Sequence, residues 1–399
     1  MDAIQQVLTS KYLLSAMTLA SLIAASPMAR ADQSFKAPGS DTTLTIRGYV
    51  KLDAIWSDVS AGVDSVGDQQ LVPSLIPVGP TAGEHKTDQV TFHARQTRLA
   101  LGTSTPTSYG DLTTYIEGDF FGADGNESST NSNGLRVRHA YGTLGKLLAG
   151  QTWTNFFDEQ TYIETLDFGG PVGEIFVRQA QVRWTEKFAH GDWSVSAENP
   201  ESLIAVPGNA ALFRSDSDHS PDFTARVRRT VGGATYSAGA LVRNVHVDSA
   251  ALGANSGKWG GGLAFTGIVP TGRRDDLRFN VNVGNAIGRY QVGAFFPDGY
   301  LAADRALHLA HQSSGYIAFR HFWTAALRST VEYSASNSTP PAGTAAGINQ
   351  SDRSQHANLI WSPLPAVNLG VEYIHAQRTV VGGDRGSLNR LQFSAQYSF

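Results

Sequence analysis

The C-terminal segment Leu388–Phe399 reads LNRLQFSAQYSF, and its pattern decides the fold class. Its apolar residues occupy every second position, namely Leu391, Phe393, Ala395, Tyr397 and Phe399. Successive side chains of a β-strand point to opposite faces, so this strand has one apolar and one polar face. On this segment alone, an amphipathic strand of a secreted β-sandwich remains an alternative.

The same alternation recurs from Leu44 onward. In the first run, apolar residues at even positions from Leu44 to Trp56 oppose Arg47, Lys51 and Asp53. Further alternating runs lie within residues 112–120, 193–198, 277–283, 327–335 and 357–361. Several predicted strands exceed the roughly 5–6 residues of soluble strands and match the roughly 9–11 of tilted transmembrane strands.

The polar faces of these strands carry charges that a dry protein core would not accept. A water-filled lumen accepts them, and closure into a barrel removes the unpaired strand edges that lipid cannot satisfy. The sequence therefore predicts an all-β fold, a transmembrane antiparallel β-barrel of about sixteen strands. Val90 and Phe92 share one parity whereas Leu99 and Leu101 share the other, which predicts a β-bulge near Arg95.

Composition excludes several other classes of protein. The 399 residues are 41% hydrophobic and 17% charged with a net charge of −4, which marks neither a nucleic-acid binder nor a disordered chain. The absence of Cys excludes disulfides and Cys-ligated metals. Past residue 31, no apolar run reaches the roughly 18 residues of a membrane helix.

The N-terminal segment has the features of a secretory signal peptide. Lys11 precedes the apolar run Tyr12–Ala25, and Ala29-Arg30-Ala31 fits a cleavage site before Asp32. A buried N-terminal helix is the alternative. Cleavage leaves 29 Lys and Arg against 34 Asp and Glu, a net charge of −5.

Three segments follow from this division: residues 1–31 as the removed signal peptide, 32–42 as a short flexible lead, and 43–399 as the barrel. Tight turns are predicted at 142–145, 189–192, 229–233 and 362–365. Long connections are predicted at 59–87, 125–133, 154–176, 200–220, 288–309 and 337–351. Short periplasmic turns opposite long extracellular loops are typical of outer-membrane barrels, so we expect an outer-membrane location.

An alternating last strand that ends in Phe resembles the C-terminal signal recognised by the barrel assembly machinery, here Tyr397 and Phe399. The following runs resemble the DcaP-like porin family: LTIRGYVKLD (44–53), ARQTR (94–98), IEGDFF (116–121), LRVRHAY (135–141), AGQTW (149–153), DFGGP (167–171) and RQAQVR (178–183). The resemblance implies a sixteen-stranded homotrimeric porin with an inward-folded third loop, associated with small, often dicarboxylic anions. Some members carry an N-terminal helical segment, which the short lead at 32–42 does not provide.

The predicted lumen carries charges of both signs. A basic ladder on one wall consists of Arg47, Lys51, Arg95, Arg98, Arg136, Arg138, Arg178 and Arg183. Lumen acids on the same strands are Asp53, Glu117 and Asp119. The third loop carries Asp158, Glu159, Glu164, Asp167 and Glu174, which we expect opposite the ladder.

The sequence thus predicts a passive diffusion channel for small hydrophilic solutes that favours anions, with arginine forks suited to carboxylates. An adhesin, receptor or structural barrel is the alternative. An outer-membrane hydrolase is a remote third, because His139, His321 and His356 lack a nucleophile signature. We expect no catalytic residues, cofactor, metal or nucleic-acid partner. We do expect contact with outer-membrane lipid.

Overall fold

The computed structural model describes residues 33–59, 66–79, 88–122 and 128–399. These residues form a closed antiparallel β-barrel of 16 strands, which confirms the predicted fold. The strands are β1 (Thr43–Asp58), β2 (Gln89–His93 and Arg98–Thr105), β3 (Leu112–Asp119), β4 (Arg136–Leu144), β5 (Leu147–Trp153), β6 (Arg178–Phe188), β7 (Gly191–Glu198), β8 (Asp222–Val231), β9 (Ala234–Ser249), β10 (Ala254–Pro270), β11 (Asp276–Gly284), β12 (His311–Phe322), β13 (Leu327–Thr339), β14 (Asn349–Leu364), β15 (Val367–Val380) and β16 (Arg385–Ser398).

Each strand pairs with its sequence neighbours, and β16 closes the barrel on β1, with Tyr49 opposite Ser398. All predicted long connections emerge at one end of the barrel, and the predicted tight turns lie at the other. We number the long-end connections L1 (59–88), L2 (120–135), L3 (154–177), L4 (199–221), L5 (250–253), L6 (285–310), L7 (340–348) and L8 (381–384).

The two faces of the wall follow the alternation seen in the sequence. Outward Val195 is 45% exposed and outward Val281 is 52% exposed, whereas inward Ser194 and Asn280 are both 1% exposed. Apolar groups therefore face the lipid and polar groups face the interior.

The interruption of β2 coincides with the predicted bulge. The strand breaks at residues 94–97, where the Thr97 amide donates to the Ala94 carbonyl oxygen at 3.0 Å. Phe92 and Leu99 both point outward on either side of this break. The irregular turn thus absorbs the change of parity without turning an apolar side chain inward.

The N-terminal lead differs from expectation. Residues 32–42 were predicted as a flexible lead, but Gln33–Lys36 form a strand that pairs with Thr43–Ile46 of β1. Since β16 stops beside the following part of β1, this edge is open to a returning strand. The predicted signal peptide, residues 1–31, lies outside the described residues.

Segments of the long-end loops fill much of the interior. L3 enters the barrel, and parts of L1 and L6 pack against it: Leu71, Val172 and Val292 share one buried apolar cluster with Ile374 of β15. Within the described ranges, no helix is long and apolar enough to cross a membrane.

Candidate pore constriction

L3 lies on the inner wall formed by β11–β15. The Tyr316 hydroxyl donates to the Thr161 carbonyl oxygen at 2.9 Å, and the Asn358 side chain donates to the Glu164 carbonyl oxygen at 2.7 Å. The Gly173 amide donates to the Ser334 hydroxyl at 2.7 Å. These bonds satisfy the backbone of an irregular segment inside the barrel, where water alone would leave it mobile.

Asp167 holds the middle of L3 in place. Its carboxylate accepts from the Leu71 amide of L1 at 2.9 Å and from the Gly169 amide at 2.6 Å. It also pairs with Arg390 of β16 at 3.2 Å, and both side chains are fully buried. On the return path, the Phe176 amide donates to the Tyr290 carbonyl oxygen of L6 at 2.8 Å.

A cluster of charges lines β2–β4. Arg136 binds Asp119 through two nitrogens at 3.0 and 2.8 Å. Arg138 bridges Glu117 at 2.7 Å and Asp119 at 3.0 Å. Arg98 lies 3.4 Å from Glu117. Three guanidinium groups thus meet two carboxylates, which leaves the cluster with a net positive charge.

A bulge in β4 explains the density of this cluster. The pairing register between β3 and β4 shifts at Glu117/Gly118, so Glu117 pairs with His139 and Gly118 with Val137. Arg138 lies between them, and both Arg138 and His139 are buried in the interior. A bulge places two consecutive side chains on one face, which a regular strand cannot do.

On the side toward L3, aromatic rings rather than acids lie against the guanidinium groups of this wall. Phe168 of L3 lies 5.3 Å from both Arg136 and Arg138, and Arg178 lies 4.5 Å from the Trp153 ring and 5.3 Å from the Phe176 ring. These distances are within the range of cation–π contacts. Among the described residues, Arg178 forms no ion pair.

The remaining ladder residues lie apart from this cluster. Lys51 pairs with Asp53 at 3.2 Å and donates to the Leu166 carbonyl oxygen at 2.6 Å. Arg95 is fully buried, and Arg183 is half-buried on β6. Arg47 is exposed at the opposite mouth. The structure therefore brings Arg98, Arg136, Arg138 and Arg178 together and leaves the others along the wall.

The L3 acids pair with arginines that the sequence did not single out. Asp158 lies 3.7 Å from Arg228 and Glu159 lies 3.5 Å from Arg226, both on β8. Glu164 binds Arg328 of β13 at 2.8 Å through Oε2. These arginines lie on the polar faces of their strands, so alternation marks them as lumen residues. No local signal pairs them with L3.

Glu174 differs from the other L3 acids. It is buried, and burial followed by the nearby Glu332 raises its pKa well above the ordinary value of 4.5. Burial also raises the pKa of Asp158, against the opposing effect of Arg226. Glu174 thus keeps its proton to higher pH than a solvated glutamate does.

An open vestibule of about 670 Å³ remains between β4–β6 and the inward loops. Its charged lining residues are Arg136, Arg178, Arg214, Arg289 and Glu201. Four cations thus face one anion. Arg289 also lies 3.3 Å from Asp222, whereas Arg214 is exposed and has no described acidic partner. The vestibule is therefore electropositive.

The two residues of the predicted C-terminal signal lie on the outer face of the barrel. Tyr397 is 55% exposed and Phe399 is 37% exposed. The Gly48 amide donates to the Phe399 carbonyl oxygen at 3.2 Å, and the Phe399 ring covers Gly48. A Cβ at Gly48 would lie 2.8 Å from this ring, so only glycine leaves room for the Phe399 side chain.

The histidines named for a hydrolase lie in separate places. His139 Nδ1 lies 3.0 Å from the Thr152 hydroxyl, and His321, near the end of β12, lies 2.7 Å from Asp275 in the turn between β10 and β11. His356 lies between Glu372 at 2.7 Å and Glu332 at 3.6 Å beneath L3. Among the described residues, no group of three His, Cys, Asp or Glu side chains is arranged to hold a metal ion.

Residues 23–399 match the family model described as DcaP outer membrane protein. The chain belongs to this family. The outer membrane channel DcaP of Acinetobacter baumannii is 24% identical, with a TM-score of 0.78 over 92% of this chain and 99% of that one. This DcaP-family chain is therefore an outer-membrane β-barrel porin, as the sequence predicted.

More distant porins share the barrel of this DcaP-family chain. An anion-selective porin from Comamonas acidovorans is 11% identical, with a TM-score of 0.59 over 90% of this chain and all of that one. OmpF of Salmonella typhi in complex with daunomycin is 12% identical, with a TM-score of 0.57 over 92% of this chain and all of that one. These two likenesses concern the fold. No curated protein sequence matched.

Proposed function

We propose that this porin is a passive diffusion channel for small hydrophilic solutes that favours small anions, dicarboxylates in particular. The observation that carries the proposal is the vestibule, where Arg136, Arg178, Arg214 and Arg289 face a single carboxylate, Glu201. A water-filled cleft lined by one sign of charge concentrates ions of the opposite sign.

The arrangement of the arginines favours carboxylates over simple halides. Guanidinium groups present paired N–H donors that match the two oxygens of a carboxylate. Arg136 already binds Asp119 in this manner, whereas Arg178 and Arg214 have no described acidic partner. A dicarboxylate offers one carboxylate to each of two such groups, so we expect it to bind the vestibule more strongly than a monocarboxylate.

Reversal-potential measurements in planar bilayers across a salt gradient test the preference for anions. We expect the purified porin to be anion-selective, and a cation-selective channel would contradict the proposal. Absence of any conductance would instead favour the adhesin or receptor alternative.

Solute preference requires a second measurement. We expect succinate to interrupt single-channel current at lower concentration than acetate, because two carboxylates engage two guanidinium groups. Equal block by both solutes would refute the dicarboxylate preference without affecting anion selectivity.

We also propose that the chain is a homotrimer, inserted by the barrel assembly machinery through Tyr397 and Phe399 after cleavage before Asp32. The support is the family resemblance, together with the outward position of both aromatic residues. Chemical cross-linking of the protein extracted from outer membranes tests the oligomer. A species no larger than the monomer would contradict it.

A further inference from the structure

A polar groove interrupts the lipid-facing wall next to L7 and L8. It has a volume of about 540 Å³, and its floor is formed by the ends of β14, β15 and β16. In register, Arg353 lies beside Gln377 and Ser387, and the next row holds Ser351, Thr379 and Arg385. Ser351, Arg353, Gln377, Thr379, Arg385 and Ser387 have the outward parity of their strands, and inward Asp352 and Arg378 also line the groove, so it opens mainly on the outer surface of the barrel.

The neutral side chains below the groove satisfy one another. His375 Nδ1 donates to the Asn389 side-chain oxygen at 2.8 Å, and His375 Nε2 accepts from Gln377 at 3.1 Å. The Tyr373 hydroxyl also donates to Asn389, at 2.9 Å. A hydrogen-bonded chain thus runs across the outer face at the boundary between the apolar wall and the groove.

Two of the three arginines that line the groove have no such partner, whereas the third, Arg378, donates to the Asn349 side chain at 2.8 Å. Arg353 and Arg385 are exposed, and neither forms an ion pair or hydrogen bond among the described residues. Asp352, the acidic residue in the lining, is buried and accepts from the Ser336 hydroxyl, and it forms no described ion pair with these arginines. Since β14 and β16 are two strands apart, the arginine backbones are separated by roughly 12 Å, which permits both to approach one anionic group.

The position of the groove relates it to the membrane. On β15 the outward apolar residues extend from Val367 to Tyr373, which is roughly 16 Å of membrane thickness at a tilt of about 40°. The apolar band of such barrels is about 25 Å tall, so the polar rows begin below the usual headgroup level. Beneath them lie exposed Tyr373, Leu359 and Phe393.

We propose that this groove binds a phosphate-bearing lipid of the outer leaflet, with Arg353 and Arg385 on the phosphate and the acyl chains on the apolar wall below. A cationic groove above an apolar strip matches the two parts of an anionic lipid. A lipid phosphate drawn toward the groove supplies a counter-charge for these two arginines, since Asp352, the acid in the lining, is buried and points inward. The inference depends on the outer-membrane location and is independent of anion selectivity in the pore.

The test compares lipid binding by variants of the full-length porin purified in detergent. The probes are lipid A, lipid A without its phosphates, and inorganic phosphate, and binding is measured by native mass spectrometry. We expect Arg353→Gln combined with Arg385→Gln to weaken lipid A binding about tenfold or more, as for lost charge-assisted hydrogen bonds. Removal of the phosphates should weaken binding to the unaltered protein to a similar extent.

Matched variants separate charge from damage to the fold. The double substitution to Lys should retain lipid A binding, and Arg229→Gln, an outward arginine at the opposite end of the wall, should leave it unchanged. Heat-modifiable migration on gels reports folding of each variant. If the double Gln variant does not fold, the Lys variant and dephosphorylated lipid A decide the question.

Four results would overturn the inference. The double Gln variant would bind lipid A as tightly as the unaltered protein, or phosphate removal would change nothing. Alternatively, inorganic phosphate at millimolar concentration would displace lipid A completely, which would indicate a free-anion site. Loss of the oligomer in the double Gln variant with unchanged lipid A binding would also overturn it, and would assign the groove to contact between copies of the chain.

Discussion

Arg178 gives the sharpest test of the electropositive vestibule. It lies at the start of β6, contacts the rings of both Trp153 and Phe176, and forms no described ion pair. Arg178→Gln therefore removes one positive charge without leaving a buried acid unpaired. We expect the channel to remain folded and to become less selective for anions.

The expected size of the effect follows from Coulomb's law. A unit charge about 7 Å from a permeant ion in water contributes ~0.6 kcal/mol, and screening at 0.1 M salt reduces this to ~0.3 kcal/mol. The substitution weakens attraction of the anion and repulsion of the cation by this amount each. The anion-to-cation permeability ratio should therefore fall by roughly threefold.

The assay is the reversal potential across a tenfold salt gradient, with Arg229→Gln as the control for loss of one outward charge far from the vestibule. A larger change is expected at lower ionic strength, because screening weakens. An unchanged permeability ratio in Arg178→Gln, with normal conductance, would refute the assignment of this wall to ion selection.

Three further predictions concern L3. Because the pKa of Glu174 is raised, the folded state binds its proton more tightly than the unfolded state, so stability falls as pH rises above the ordinary value of 4.5. Glu174→Gln should remove this pH-dependent loss of stability and raise the melting temperature at pH 8. An unaltered dependence of stability on pH would contradict the prediction. Asp167→Ala removes the carboxylate that pairs with buried Arg390 and that accepts from the Leu71 and Gly169 amides, so we expect a loss of about 3–5 kcal/mol in urea unfolding and a higher conductance as L3 is released. A stable variant of unchanged conductance would show that L3 does not depend on this carboxylate. A Cβ at Gly239 would lie 2.0 Å from the Phe156 carbonyl oxygen of L3, so Gly239→Ala should lower the free energy of unfolding by roughly 1–3 kcal/mol and increase current noise. Gly272→Ala is the control and should do neither, because no atom lies closer than 3.9 Å to its added Cβ. Equal behaviour of the two variants would argue against close packing of L3.

The inward fold of L1 and L6 shows where sequence patterns stop being informative. L3 was expected inside the barrel from family resemblance, but Leu71 and Val292 meet Val172 through contacts between segments far apart in the chain. Such contacts leave no periodic signal, because loops lack the two-residue repeat of strands. For the same reason, the pairing of Glu164 with Arg328 cannot be recognised locally, although each residue is visible as a charge.

The side chains at the bulge in β4 are predictable from the sequence only in part. The sequence places Arg136 and Arg138 on one face by parity, and the structure agrees. Only the pairing with β3 shows that His139 joins them, since a register shift at Glu117/Gly118 depends on the partner strand. Alternation along one strand predicts which way each side chain faces. Pairing with the neighbouring strand determines where a bulge interrupts that alternation.

The period of two from Leu44 to Phe399 predicts the barrel, because membrane and lumen act on every strand residue in turn. It also predicts on which face most strand charges lie, although Arg178 shares the parity of outward Val182 and Trp184. Which charges remain unneutralised depends on distances between strands and loops, so it follows from the folded chain alone. Arg136 and Arg178 are both predicted on the basic wall, yet the first binds Asp119 and the second contacts Trp153 and faces the vestibule.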